Sequence, residues 1–151
     1  MVAWGGPVAE SSMTLRAMLV EVVAVLTSTG LKLSPSVFSA AAMPKNIVDL
    51  AFTLDLQTVN TQQYRGGADA VMRLDHTLTV TFVKVLKPLD QHESQLACLD
   101  IQERVMRAMQ AGDAFDFIRV TYLQTTTTLS AAREHLVVDL TFRVDQDFTW
   151  A

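Results

Sequence analysis

A chain of 151 residues is the size of one domain, and at that length roughly 70% of the unfolded surface can be buried in a single core. Half the residues are apolar and 19% are charged, which excludes disordered, collagen-like and low-complexity architectures. The formal charge is −4 and no stretch gathers Lys and Arg without acids close by, so the chain lacks the surplus of cations that a sequence-independent nucleic-acid binder needs along the phosphates.

Residues 1–12 contain Gly5, Gly6 and Pro7 and show no periodicity, which predicts an extended arm with Trp4 as its apolar anchor. They also lack the basic start and apolar run of a secretory leader. Thr14 to Thr29 reads as a helix, with Ser12 as a candidate N-cap and Gly30 as the left-handed residue that ends it. Between Ala17 and Leu26 its apolar residues run all the way round, so one face can pack on the sheet while the other needs a second cover, from this chain or from a partner. That stretch is interrupted by Glu21 and is about half the ~20 residues of a membrane span, so no membrane partner is expected.

After a loop marked by Pro35 and Pro44, Leu50, Phe52, Leu54 and Leu56 alternate with Asp49, Thr53 and Asp55 as in a half-buried strand. Gln57 to Ala70 is polar, holds Gly66 and Gly67, and predicts a long tip. Val71 to Leu86 resumes the period of two, with Leu78, Val80 and Phe82 opposite Thr77, Thr79 and Thr81, closing a long hairpin. Pro88 ends that strand, and Asp90 with Glu93 has the spacing of a capping box. The helix that follows runs to about Gln110 before Gly112. Cys98, Ile101, Val105 and Met109 form its apolar stripe, and Asp100 with Arg104 and Glu103 with Arg107 stand at i,i+4 on the other side. Phe115 to Thr125 and Glu134 to Val144 are two further strands; Thr125 to Thr128 favour extended structure on the way to a turn near Ala131. Asp145 to Ala151 is left as a C-terminal tail. Its Phe148 and Trp150 either fold back on the domain or anchor in a neighbouring subunit.

The order helix, hairpin, helix, hairpin predicts an α+β domain over residues 1–151, with an antiparallel sheet of about four strands and two helices packed on one face.

Nothing in this pattern names a catalytic, cofactor or metal site. Asp75 and His76 are adjacent, as are Glu134 and His135, but neighbours on a strand point to opposite faces, so neither acid can orient the histidine beside it. With His92 at a helix start, the three histidines read as exposed. Gly66 and Gly67 follow Tyr64 and Arg65 without the spacing of a phosphate loop and read instead as a mobile or partner-binding tip, in which Arg65 suits an interface. Met106 and Met109 read as core filling. Cys98, the one cysteine, permits no intrachain disulfide and no cysteine-based zinc cluster, fits a reducing compartment such as the cytoplasm, and reads as a small buried apolar residue.

The nearly all-apolar first helix, Pro-containing loop, strand to Leu56, polar tip, Thr-rich strand, amphipathic helix and final long hairpin form a layout that resembles the tail terminator and neck (head-tail joining) proteins of long-tailed bacteriophages, over Thr14 to Val144. The resemblance implies a structural, non-enzymatic virion subunit that assembles in the host cytoplasm. It would form a ring, typically a hexamer, that caps the tail tube and meets the head-side connector or stopper, with DNA passing through but not specifically bound. No family site residues carry over, because no motif aligns them. The interface expected from the residues themselves comprises Trp4, Val20, Val23, Tyr64, Arg65, Phe148 and Trp150. Strand edges and the first helix would join subunits, while the tip at Tyr64 to Gly66 and the threonine hairpin would engage tube or connector. Other neck or tail-completion subunits, a ferredoxin-like binding module with a discrete pocket, and an enzyme with histidines and acids meeting in a cleft are the alternatives.

Overall fold

The computed structural model describes residues 14–65, 71–111, 115 and 118–149. Their order is α1 (Leu15–Ser28), β1 (Lys32–Leu33), β2 (Ala51–Arg65), β3 (Val71–Val85), α2 (Gln91–Gln110), β4 (Ile118–Leu129) and β5 (His135–Thr149). The fold is α+β, and the sheet has five strands in the order β1-β2-β3-β5-β4 rather than about four. The added strand is β1, two residues that pair parallel to Ala51 and Phe52 at the margin, while every other pairing is antiparallel. A two-residue strand has no room for an alternation, which is why the sequence hides it.

β5 lies in the interior of the sheet, between β3 and β4. Phe52, Leu78, Val80, Phe82, Val138, Leu140, Phe142 and Val144 project from one face and are buried with Met18, Val22 and Leu26 of α1 and Cys98, Ile101, Val105 and Met109 of α2. Both helices therefore cover the same face, as the alternation requires.

The cap of α1 is Thr14, whose Oγ1 accepts from Ala17 N at 3.0 Å. At the other end Gly30 adopts φ +101°, a conformation that side-chain-bearing residues avoid, and its N–H donates to Thr27 O. The all-round apolar character of α1 is largely absorbed within the chain. Leu19, Val23 and Val25 pack against the core beside the three buried residues, because the helix is seated between sheet, α2 and β1. Val20, 61% exposed, is left outward with Ala17 and Ala24. No described helix is long and apolar enough to cross a membrane.

The capping box at α2 does not form. Asp90 makes no side-chain cap bond; Ser94 takes over, its Oγ accepting from Lys87 N and donating to Asp90 O. Glu103 pairs with Arg107 as expected, at 2.6 Å, but Arg104 reaches across to donate to Thr29 O at 3.0 Å. That charge-assisted bond satisfies a carbonyl at the C-terminus of α1, where a cation is favoured.

Among the described residues, the loop between β1 and β2 covers one end of the other face of the sheet. Phe38, with Met43 and Ile47, packs on Ala51 and Val83, so the loop between β1 and β2 folds beneath the sheet there. Asp49 pins this loop, accepting from Lys84 Nζ at 3.0 Å and Val85 N at 2.9 Å. Leu50 takes φ 65° at the loop's exit, so the strand begins at Ala51 rather than Asp49.

Candidate functional site

Away from the Phe38 cluster, the helix-free face is a plane of small polar residues. Thr53, Asp55 and Gln57 of β2, Thr77, Thr79 and Thr81 of β3, Thr141 and Arg143 of β5, and Thr121 of β4 share it by register. Threonine suits this position because its branched carbon favours the extended backbone; Thr53 and Thr81 are buried, Thr77, Thr79 and Thr141 half-buried, and Thr121 exposed. Thr81 Oγ1 donates to Asp139 Oδ1 across the β3–β5 pair.

On this plane Asp75 lies directly opposite Asp145. Arg143 grips Asp145 with two bonds, Nε to Oδ1 at 3.0 Å and Nη2 to Oδ2 at 3.2 Å. Asp75 Oδ1 is shielded from solvent without a hydrogen-bond partner among the described residues. The hydrogen bond shared with Asp145, then burial and the like charge of Asp145, hold the Asp75 carboxyl above its ordinary range. Burial also works to raise Asp145, but hydrogen bonds from Arg143 and Asp75 outweigh it and hold that group below the ordinary range.

The stability linked to Asp75 is fully present below the ordinary carboxyl value of 3.8 and is lost as pH rises through its raised folded value. That linked to Asp145 is present above the ordinary value and lost as pH falls through its lowered one. Asp75→Asn keeps a neutral donor facing Asp145 at every pH. It is expected to raise the melting temperature by a few degrees at neutral pH and to give no gain near about pH 3, where Asp75 is already protonated. Scanning calorimetry across pH checks this; an equal shift at both ends would mean the carboxyl pair is not the cause.

The histidines do not meet these acids. His76 is 1% exposed rather than on the surface, on the helix side of β3, where its Nε2–H donates to Gln146 Oε1 at 2.9 Å. A strand-facing histidine and an exposed one look alike in sequence; the partner that admits His76 to the core is 70 residues away. Asp75 points to the other face, as strand geometry demands. His92 is exposed in the first turn of α2, and His135 opens β5, its N–H donating to Ser130 Oγ. Cys98 is buried in the core, and burial pushes its thiol up to about 11. No three His, Cys, Asp or Glu side chains gather as metal ligands among the described residues.

The grooves on the described surface include three beside the loop after β1 and the start of α2. One of about 150 Å³ runs between Lys32–Ser36 and Pro44–Val48, and one of about 360 Å³ lies between Ala40–Lys45 and the β4–β5 turn. A third, of about 430 Å³, is lined by Lys84, Lys87, Asp90, Glu93, Ser94 and Ala97. In the third, Lys84 is already held by Asp49 and Ser94 by the α2 cap, so these two serve the fold.

Of the residues expected at an interface, Val20 is exposed on α1, while Val23 turns inward to the chain's own core. Tyr64 and Arg65 belong to β2, which continues unbroken through the segment expected as a loop tip; only residues 66–70 fall between the strands. Phe148 likewise stands in β5, paired with Met72, so the expected tail from Asp145 is strand as far as Thr149. Trp4 and Trp150 lie outside the described residues.

No protein-family model matches the chain, and no curated protein matches it. Among solved structures it is similar to a chain described as "Virion of native gene transfer agent (GTA) particle", at 14% identity and a TM-score of 0.42, covering 88% of each chain. A likeness of that depth assigns neither family nor function.

Proposed function

We propose that this chain is a structural, non-enzymatic subunit of a phage-type virion, a tail terminator that assembles with its own copies into a ring capping the tail tube below the head-side connector. The observation that carries this reading is the helix-free face of the sheet. It is a broad plane of threonines in which Arg143 holds Asp145 and Thr81 donates to Asp139, and it offers a wall rather than a pocket. Such a wall suits the inside of a conduit, where DNA has to slide without a fixed grip.

The order of elements supports the same reading, since the helix–hairpin–helix–hairpin layout on which the resemblance rests is the layout of the fold. The first helix gives less support than its composition suggests, because the chain covers most of it. In this reading the outward side of α1 at Val20 is a minor contact, and the far end of the β2–β3 hairpin, at Tyr64 and Arg65, reaches the tube or the connector.

Light scattering on the purified protein, followed by imaging with isolated tail tubes, tests the proposal. Closed rings, typically of six copies, seated on one end of each tube are the expected result. A protein that stays monomeric at high concentration and in the presence of tubes overturns it.

A further inference from the structure

We infer that the two margins of the sheet are the two halves of one joint, in which β4 of one copy of this chain adds to β2 of the next. The inference rests on the ring reading and specifies how the ring closes. β1 covers the outer side of β2 only at Ala51 and Phe52, with Ser34 N donating to Phe52 O just beyond. From Thr53 to Arg65 no described strand pairs with that side of β2. At the opposite margin β5 is the one described strand that pairs with β4, and Val120 O accepts from Gln110 Nε2 at 2.7 Å.

Margins of this length are usually defended. Soluble proteins keep their edge strands short, or set proline or lysine in them, because a row of unpaired amides and carbonyls is a template for any passing strand. β4 is 12 residues long and contains no proline, glycine or lysine; its one charge is Arg119, and Thr125–Thr128 are strong strand formers. Thr53 to Arg65 of β2 also contains no proline, glycine or lysine. Bulges at Thr58/Asn60 and Gln63/Arg65 of β2 and at Tyr122/Gln124 of β4 twist these edges locally but leave most of their length open, and two long open edges in one small domain call for an occupant.

The directions of the strands identify that occupant as a second copy. β2 runs against β3, β3 against β5, and β5 against β4, so β4 runs opposite to β2. A copy turned about an axis along the strands therefore brings its β2 antiparallel to the neighbouring β4, with both helices still on one side and the threonine plane continuous on the other. The stretches to be joined are of closely similar length. The contact is heterologous: each copy offers one β4 and receives on one β2, so every edge is covered only when the ring closes. A twofold pair of like edges would cover one margin of each copy and leave the other bare.

Hydrogen exchange of the intact chain, below and above the concentration at which it assembles, tests this. The outward-pointing amides of 53–65 and of 118–129, about every second residue, are expected to slow together by roughly tenfold or more on assembly, while those of β3 and β5, already paired on both sides, stay as they were. Thr126→Lys combined with Thr128→Lys places charges at exposed positions of β4. This variant is expected to keep the monomer's melting temperature and weaken assembly by roughly tenfold. Rings that form with either edge still exchanging as in the monomer, or that tolerate both lysines, overturn the edge pairing and leave the ring reading standing. A chain that never assembles overturns both.

Discussion

Phe82→Ala is expected to remove about 3–5 kcal/mol of folding stability, the largest effect of any single substitution considered for this chain. The ring is fully buried in the central strand, near its C-terminal end, with Phe52 directly across on β2 and Val138 directly across on β5, in the core that both helices cover. Neighbouring strands on both sides hold the backbone in place, so the site cannot collapse to fill the void, and the loss falls toward the upper end for such a change. Domains of this size are stable by about 5–15 kcal/mol, so the variant would retain a narrow margin. Urea unfolding followed by circular dichroism is the measurement: the midpoint should fall while the slope stays near that of the parent protein. A loss below about 1 kcal/mol would show that residue 82 is not interior.

His76→Leu is expected to destabilise the chain by about 1–3 kcal/mol, even though leucine is the more apolar side chain. Both members of the His76–Gln146 pair are almost wholly buried, and the substitution removes the donor 2.9 Å from Gln146 Oε1 without returning that oxygen to water. The double variant, with Gln146→Leu added, should recover a large part of the loss, because two apolar groups facing one another leave that oxygen no longer in need of a partner. A double-mutant cycle separates these terms. If the double variant is as unstable as the sum of the singles, the pair does not act as a unit.

The elements with a strong period were legible in the sequence. Leu78, Val80 and Phe82 against Thr77, Thr79 and Thr81, and Cys98, Ile101, Val105 and Met109 along α2, fall where their spacing puts them. What escaped is what period cannot encode. β2 runs through Thr58 to Arg65 because β3 pairs with it along that whole length, past bulges at Thr58/Asn60 and Gln63/Arg65, and no apolar alternation announces a strand held by backbone bonds. β5 runs on to Thr149 for the same reason, with Val71 as its last partner. The loop after Pro35 concealed a small second core, because Phe38, Met43 and Ile47 are too sparse to show a period.

The candidate site was legible in part. The threonine-rich strands were evident, but the opposition of Asp75 and Asp145 depends on pairing residues far apart in the chain, and so does the burial of His76. The composition of Ala17 to Leu26 overstated the need for an outside cover, since composition counts apolar residues without knowing that sheet, second helix and β1 surround them on three sides. The open edges only emerge once the strand order places β2 and β4 at the margins.

The buried thiol of Cys98 has a practical use. With its ionisation pushed up to about 11 and its sulfur enclosed under α2, it resists alkylating reagents for as long as the core stays shut, and the sequence contains no second cysteine to compete. The rate at which it becomes labelled is therefore a clock for whole-molecule opening. If subunits hold one another closed at their seams, that clock should run more slowly in the assembled particle than in the free chain.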